Sequence, residues 1–174
     1  MIIWLTGMSG SGKSTLSNIL IKKFKKKDIN FISVDGDVVR DLFDNDLNHS
    51  LKHRLKQINR IKKITKFLNL QKQNVIVSAL YSNPEILENN RKIFKNYFEV
   101  YLKVPISILL KRDIKNLYKR ALNKKIKNVV GVDIPWIEPK KSNLLIDQSK
   151  KITPNKIANE IIKILLNERN KFKF

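Results

Sequence analysis

The sequence predicts an α/β protein with a parallel five-stranded sheet and helices on both faces. Three observations predict it. Short apolar runs alternate along the chain with longer helical patterns, as they do where crossover helices join parallel strands. Helix-capping residues stand at the start of several helical patterns. The first apolar run leads directly into "GMSGSGKST", a glycine-rich segment placed to open a helix.

The elements follow in chain order. The apolar runs predicted as strands are residues 2–5, 31–34, 74–80, 98–104 and 143–146. The predicted helices are residues 16–24 and about 50–70, with three more that begin at residues 84, 105 and 153. Asn83 before Pro84, and Thr153 before Pro154, are residue types that begin helices. A chain of 174 residues with 42% apolar content can bury one core, so residues 1–174 are predicted as one domain.

One polar stretch, at about residues 111–139, interrupts the alternation. It is charged and helical at first, then irregular around Gly131 and two prolines. Such an excursion near the end of an α/β chain is typical of a mobile lid. An ordinary surface connection has the same composition, so both interpretations stand at this point.

The composition excludes several classes of site. The chain has no cysteine, which excludes disulfides and thiolate metal sites, and its two histidines are too few for a metal site alone. No leader pattern and no apolar run of ~20 residues is present, so we expect a soluble cytoplasmic protein without a membrane partner. The net charge of +21 fits either a nucleic-acid site or a solvated lysine-rich surface. Because the lysines are spread through the helical patterns, we expect no specific nucleic-acid partner.

The glycine-rich segment fits the phosphate-binding pattern G-x-x-x-x-G-K-[ST]. Its glycines let backbone N–H groups turn towards phosphate oxygens, and the positive end of the following helix faces the same anion. The lysine adds a charge for the β- and γ-phosphates, and the serine hydroxyl after it is a natural Mg²⁺ ligand. The segment therefore predicts that the chain binds ATP or GTP. The expected contacts are Gly7, Ser9, Gly10, Ser11, Gly12, Lys13, Ser14 and Thr15.

The second predicted strand ends in "VDGDVVR", which supplies candidates for a second substrate. Asp35 stands at the carboxyl edge of this strand and is expected to open into the crevice of the phosphate loop. A carboxylate there can orient Mg²⁺ or accept a hydroxyl proton, which favours a small hydroxyl-bearing acceptor. Asp37 is either a second contact to the acceptor or a turn and cap residue. Arg40 and Arg54 are either bidentate clamps for an acceptor phosphate or surface arginines.

Three stretches together resemble the adenylylsulfate kinases, which are P-loop kinases of the nucleotide-kinase type. The stretches are "GMSGSGKST", "VDGDVVR" and "VYLKVPISILLKRDIKNLYKRALNKKIKNVVGVDIPWIEP", and the similarity runs over nearly the whole chain. The resemblance implies transfer of the γ-phosphoryl group of MgATP to the ribose 3′-hydroxyl of adenylylsulfate. Members of the family are commonly dimers, so a homodimer is also expected.

The resemblance also implies roles for individual residues. Asp35 and Lys13 are the implied catalytic residues, and Ser14 and Asp35 are the implied metal ligands. The acceptor's phosphate is held by Arg40 and Arg54, and the lid over the nucleotides includes Arg112 and Lys115.

Several substrate-facing positions depart from the family pattern. The family places an aromatic ring on each face of the acceptor's adenine, where this chain has His49 and Val129. The family's asparagine position is Gln57, and after the third strand a serine position is Tyr81 and an arginine position is Pro84. Tyr81 either stacks on a base or fills space. Stacking a base on a ring is worth about 1–3 kcal/mol, so the loss of two rings argues against an adenine acceptor.

Cytidine diphosphoramidate kinases, which act in capsular polysaccharide phosphoramidate biosynthesis, resemble adenylylsulfate kinases with an altered acceptor pocket. A pyrimidine does not need the pair of stacking rings, so we favour this activity. An adenylylsulfate kinase of sulfate assimilation is the first alternative. A non-catalytic basic P-loop protein that binds nucleotide or nucleic acid is the second.

Overall fold

The computed structural model describes residues 1–80, 83–113, 116–168, 172 and 174. Its strands are β1 (Ile2–Thr6), β2 (Phe31–Asp35), β3 (Asn74–Ala79), β4 (Tyr97–Lys103) and β5 (Leu144–Asp147). Its helices are α1 (Lys13–Lys25), α2 (Gly36–Leu42), α3 (Leu51–Leu70), α4 (Pro84–Ile93), α5 (Ile106–Arg112), α6 (Leu117–Leu122) and α7 (Pro154–Asn167).

The strands form one five-stranded sheet in the order β2-β3-β1-β4-β5, and every neighbouring pair is parallel. β1 lies at the centre, between β3 and β4, and all of its residues are buried. Burial of both faces is what a parallel sheet with crossover helices requires. The predicted α/β class and the parallel five-stranded sheet are therefore confirmed. Since parallel strands end at the same edge, the loops after β1, β2 and β3 open on one side of the sheet.

Alternate residues of β1 enter two separate cores. Ile3 and Leu5 pack in a cluster with Leu16 and Leu20 of α1 and with Ile161 of α7. The intervening residues of the strand point to the opposite face, because successive side chains of a strand alternate. On that face Ile2 and Trp4 are covered by apolar residues of α3 and α4, which include Ile61 and Leu87. Helices thus cover both faces, as predicted.

The predicted helix starts are set by local capping. The side chain of Asn83 accepts a hydrogen bond from the backbone N–H of Glu85 at 2.8 Å, one residue after Pro84 begins α4. The hydroxyl of Thr153 accepts one from the N–H of Lys156 at 3.3 Å at the start of α7. Each bond satisfies an N–H group that the first helical turn leaves unpaired.

The structure moves some boundaries and adds two short helices. The first helix begins at Lys13, three residues before the predicted start, so the lysine and serine of the phosphate loop are helical. The short helices α2 and α6 had not been predicted as separate elements. Within the described residues, no helix combines the length and the low charge that crossing a bilayer would require.

Candidate active site

The phosphate loop joins the centre of the sheet to the N-terminus of α1. Gly12 caps the helix with φ at 92°, a left-handed conformation that suits glycine. Gly7 is needed for a different reason, because a Cβ atom there would lie 2.7 Å from both the carbonyl oxygen of Leu102 and Oγ of Ser11. The first turn of α1 reads Lys-Ser-Thr-Leu and so presents its N–H groups without a carboxylate. This arrangement favours an anion at the helix end.

Lys13 lies along the inner side of this loop. Its Nζ atom donates to the carbonyl oxygens of Gly7 at 2.8 Å and Met8 at 2.9 Å. Burial lowers the pKa of Lys13 to about 8, although the charges of Asp35 and Asp37 raise it. Near neutral pH the side chain is therefore a cation that is only weakly solvated, and an anion next to it would stabilise its charge.

Asp35 is the residue that links the second strand to the phosphate loop. Its Oδ2 atom accepts a hydrogen bond from the hydroxyl of Ser14 at 2.6 Å, and its Oδ1 atom accepts one from the N–H of Asp37 at 2.9 Å. The second bond makes Asp35 the N-cap of α2, while Asp37 lies in the first turn of that helix. The cap role considered for Asp37 thus belongs to Asp35. The two predicted metal ligands, Ser14 and Asp35, are in direct contact.

The contact between Ser14 and Asp35 suits a magnesium ion. A hydroxyl and a carboxylate are hard oxygen ligands, the type that Mg²⁺ takes from a protein when substrate phosphates supply further oxygens.

The predicted acceptor residues of the 40–54 region lie together. Arg40 of α2 donates to the carbonyl oxygen of Leu47 at 2.5 Å. Arg54 of α3 donates to the carbonyl oxygens of His49 at 2.9 Å and Asn128 at 2.7 Å. Partial burial lowers the pKa of His49, and the charges of Arg40 and Arg54 lower it further. The neutral imidazole is therefore the favoured form near pH 7.

The remaining predicted acceptor residues either are buried or lie outside the described residues. Gln57 is buried in α3 and donates from Nε2 to the carbonyl oxygen of Gly36 at 3.0 Å, next to Asp35. Val129 is 4% exposed and packs with apolar residues of α5 and α6, so its side chain offers little surface to a base. Tyr81 and Lys115 lie outside the described residues.

The 111–139 segment contacts the outer side of the phosphate loop. Arg112 donates to the carbonyl oxygen of Gly10 at 3.5 Å and to Oε1 of Gln148 at 3.1 Å. Two further donors to the loop were missed by the sequence analysis. The hydroxyl of Tyr118 donates to the carbonyl oxygen of Ser9 at 2.9 Å, and Nε2 of Gln148 donates to that of Ser11 at 3.0 Å. Neither residue belongs to a pattern that indicates phosphate binding.

Comparison with protein families and curated proteins gives a consistent result. The family model described as adenylylsulphate kinase matches residues 1–147. A cytidine diphosphoramidate kinase of Campylobacter jejuni is 44% identical over 151 residues, which cover 85% of this chain and 86% of that protein. An adenylyl-sulfate kinase of Clostridium acetobutylicum is 34% identical over 167 residues, which cover 94% of this chain and 82% of that protein.

A solved structure agrees with these sequence matches. The APS kinase of Mycobacterium tuberculosis, solved in complex with AMPPNP and APS, is similar to this chain with a TM-score of 0.86 and 29% identity. The similarity covers 94% of this chain and 96% of that one. The shared fold therefore covers nearly the whole chain.

Proposed function

Since the chain is a kinase that belongs to the adenylylsulphate kinase family, we propose that it transfers the γ-phosphoryl group of MgATP to the ribose 3′-hydroxyl of cytidine diphosphoramidate. The observation that carries the proposal is the 2.6 Å contact between Ser14 Oγ and Asp35 Oδ2. It sets a carboxylate beside the phosphate loop, where an acceptor hydroxyl must meet the γ-phosphate. The products are ADP and the 3′-phosphorylated nucleotide.

Each side chain has a defined part in the proposed transfer. Asp35 accepts the hydroxyl proton as the 3′-oxygen forms its bond to the γ-phosphorus and the bond to the bridging oxygen of ADP breaks. Lys13, held at the loop before the nucleotide binds, stabilises the charge on the transferring phosphoryl group. Ser14 and Asp35 would hold Mg²⁺, which when bound supplies positive charge to the phosphate oxygens.

The choice of acceptor rests on the pocket residues. An adenine sandwich requires a ring at each of two positions, but one of these is the buried Val129, which has none, and the other has only the smaller imidazole ring of His49. A cytosine presents a smaller face and depends less on stacking from both sides. Arg40 and Arg54 are close enough to His49 for their charges to lower its pKa, and they would bind the acceptor's phosphate oxygens. The 44% identity to a cytidine diphosphoramidate kinase supports the same choice.

An adenylylsulfate kinase is the second candidate. It is favoured by the description of the matching family model and by the 34% identity to the Clostridium acetobutylicum enzyme.

The experiment that tests the proposed transfer is ATP turnover with and without an acceptor. We expect ADP release to require cytidine diphosphoramidate, and phosphorus NMR to locate the new phosphate on the ribose 3′-oxygen. ATP turnover that is unchanged by either nucleotide acceptor would contradict the proposal. Asp35→Asn is the matched control, because it keeps the shape of the side chain and removes the proton acceptor. ADP release that depends on the acceptor should therefore be lost in this variant.

Two other features remain predictions. A homodimer is tested by light scattering coupled to size-exclusion chromatography. Opening of the 111–139 segment as a lid is tested by hydrogen exchange with and without MgATP, since the described part of the segment packs against the loop.

A further inference from the structure

Side chains satisfy five consecutive carbonyl groups of the phosphate loop. Lys13 binds those of Gly7 and Met8 from the inner side. The next carbonyls, of Ser9, Gly10 and Ser11, accept hydrogen bonds from Tyr118, Arg112 and Gln148 respectively. These three donors come from residues 112–148, and the pairs from Tyr118 and Gln148 are separated by 109 and 137 residues.

The direction of these carbonyls decides where the N–H groups point. In a planar trans peptide unit the C=O and the following N–H point in opposite directions. A hydrogen bond that holds the carbonyl of Ser9 outward therefore turns the N–H of Gly10 inward. The bond to the carbonyl of Ser11 does the same for the N–H of Gly12. Inward N–H groups are the donors that a phosphate group needs.

The two donors themselves are held rigidly. Tyr118 is 2% exposed, and its ring packs with Leu109 and Val129. Burial raises the pKa of Tyr118 to about 12, so its hydroxyl keeps the proton across the neutral range. Gln148 is 7% exposed, and its Oε1 atom accepts from Arg112 while its Nε2 atom donates to the loop.

We propose that Tyr118 and Gln148 are positioning residues for nucleotide binding, which hold the phosphate loop in its phosphate-binding conformation before ATP arrives. The proposal rests on the proposed function in one respect, namely that the ligand of the loop is ATP. In this proposal Tyr118 of the 111–139 segment and Gln148, the residue after β5, both hold carbonyl groups on the outer face of the loop. Preorganisation of this kind strengthens binding by removing the cost of ordering the loop.

Tyr118→Phe tests the proposal because it removes one hydroxyl and keeps the buried ring. Tyr101→Phe is the matched control, since Tyr101 is also 2% exposed and its hydroxyl accepts a hydrogen bond from Trp136 at 3.0 Å. One hydrogen bond is worth roughly 1 kcal/mol net, so we expect Tyr118→Phe to weaken the binding of MgATP about 3- to 10-fold by titration calorimetry. Tyr101→Phe should bind MgATP as the wild type does.

The kinetic pattern separates positioning from general loss of structure. Tyr118→Phe should raise KM for ATP and leave KM for the acceptor and kcat at saturating ATP near wild type, whereas general destabilisation would move all of them. Gln148→Leu should show the same pattern and serves as the test if Tyr118→Phe does not fold. Wild-type affinity for MgATP in both variants overturns the inference. Failure of the wild-type protein to bind MgATP contradicts the proposed function itself, so the two failures are distinguishable.

Discussion

Binding of ATP should be accompanied by proton uptake at Lys13. Burial lowers the pKa of this side chain to about 8 in the free protein, so at a pH of about 8.5 only roughly a quarter of the molecules carry the charge. Phosphate oxygens next to the ammonium group favour its protonated form and raise its pKa well above this pH. Binding at about pH 8.5 should therefore take up roughly 0.7 proton, and at about pH 7 only roughly 0.1.

Titration calorimetry measures this uptake directly. The observed enthalpy of MgATP binding should vary with the ionisation enthalpy of the buffer. The slope of this dependence should have the sign that corresponds to proton uptake, and it should be steeper at the higher pH. Lys13→Arg is the control, because a guanidinium group is protonated at every accessible pH and leaves no uptake to measure. Proton release on binding, or an uptake that is unchanged in Lys13→Arg, would refute the assignment of the proton uptake to Lys13.

Three further predictions concern catalysis, stability and specificity. Asp35→Ala should lower kcat at saturating MgATP by about 10²–10⁴-fold, and more than about a tenth of wild-type kcat in steady-state assays would show that Asp35 is not central. Arg91→Ala should lower the free energy of unfolding in urea by about 3–5 kcal/mol, because it leaves the buried carboxylate of Glu99 without its 2.8 Å ion pair. Lys92→Ala, which removes the exposed ion pair with Glu88, should lower it by under ~1 kcal/mol. Equal costs would contradict that account. His49→Phe should raise kcat/KM for adenylylsulfate relative to cytidine diphosphoramidate by at least about fivefold, and an unchanged ratio would mean that position 49 does not face the base.

The parts of the fold that could be predicted depend on local signals. Asn83 and Pro84 mark a helix start by the chemistry of two adjacent residues, and the structure has the corresponding cap. Asp35 could be placed beside the phosphate loop because parallel strands end at one edge of the sheet, and its carboxylate contacts Ser14 there. Neither inference needs knowledge of a distant side chain.

The contacts that sequence reasoning missed are those between distant segments. The stretch "DQSK" around Gln148 is typical of a turn. Gln148 contacts Ser11 only because the last part of the chain packs against the phosphate loop. Val129, a predicted acceptor residue, lies in an apolar cluster that α5, α6 and the loop around it form. That cluster is formed by three short elements, each with too weak a hydrophobic periodicity to predict it from the sequence.

The proposed activity is tested most directly by competition between the two acceptors. The protein is incubated with saturating MgATP and equal amounts of cytidine diphosphoramidate and adenylylsulfate, and phosphorus NMR follows both 3′-phosphorylated products. Because the acceptors compete for one site, the ratio of initial rates equals the ratio of their kcat/KM values. A pocket without two stacking rings should favour the cytidine nucleotide by at least about tenfold. Equal or faster phosphorylation of adenylylsulfate would contradict the proposal and identify the chain as an adenylylsulfate kinase.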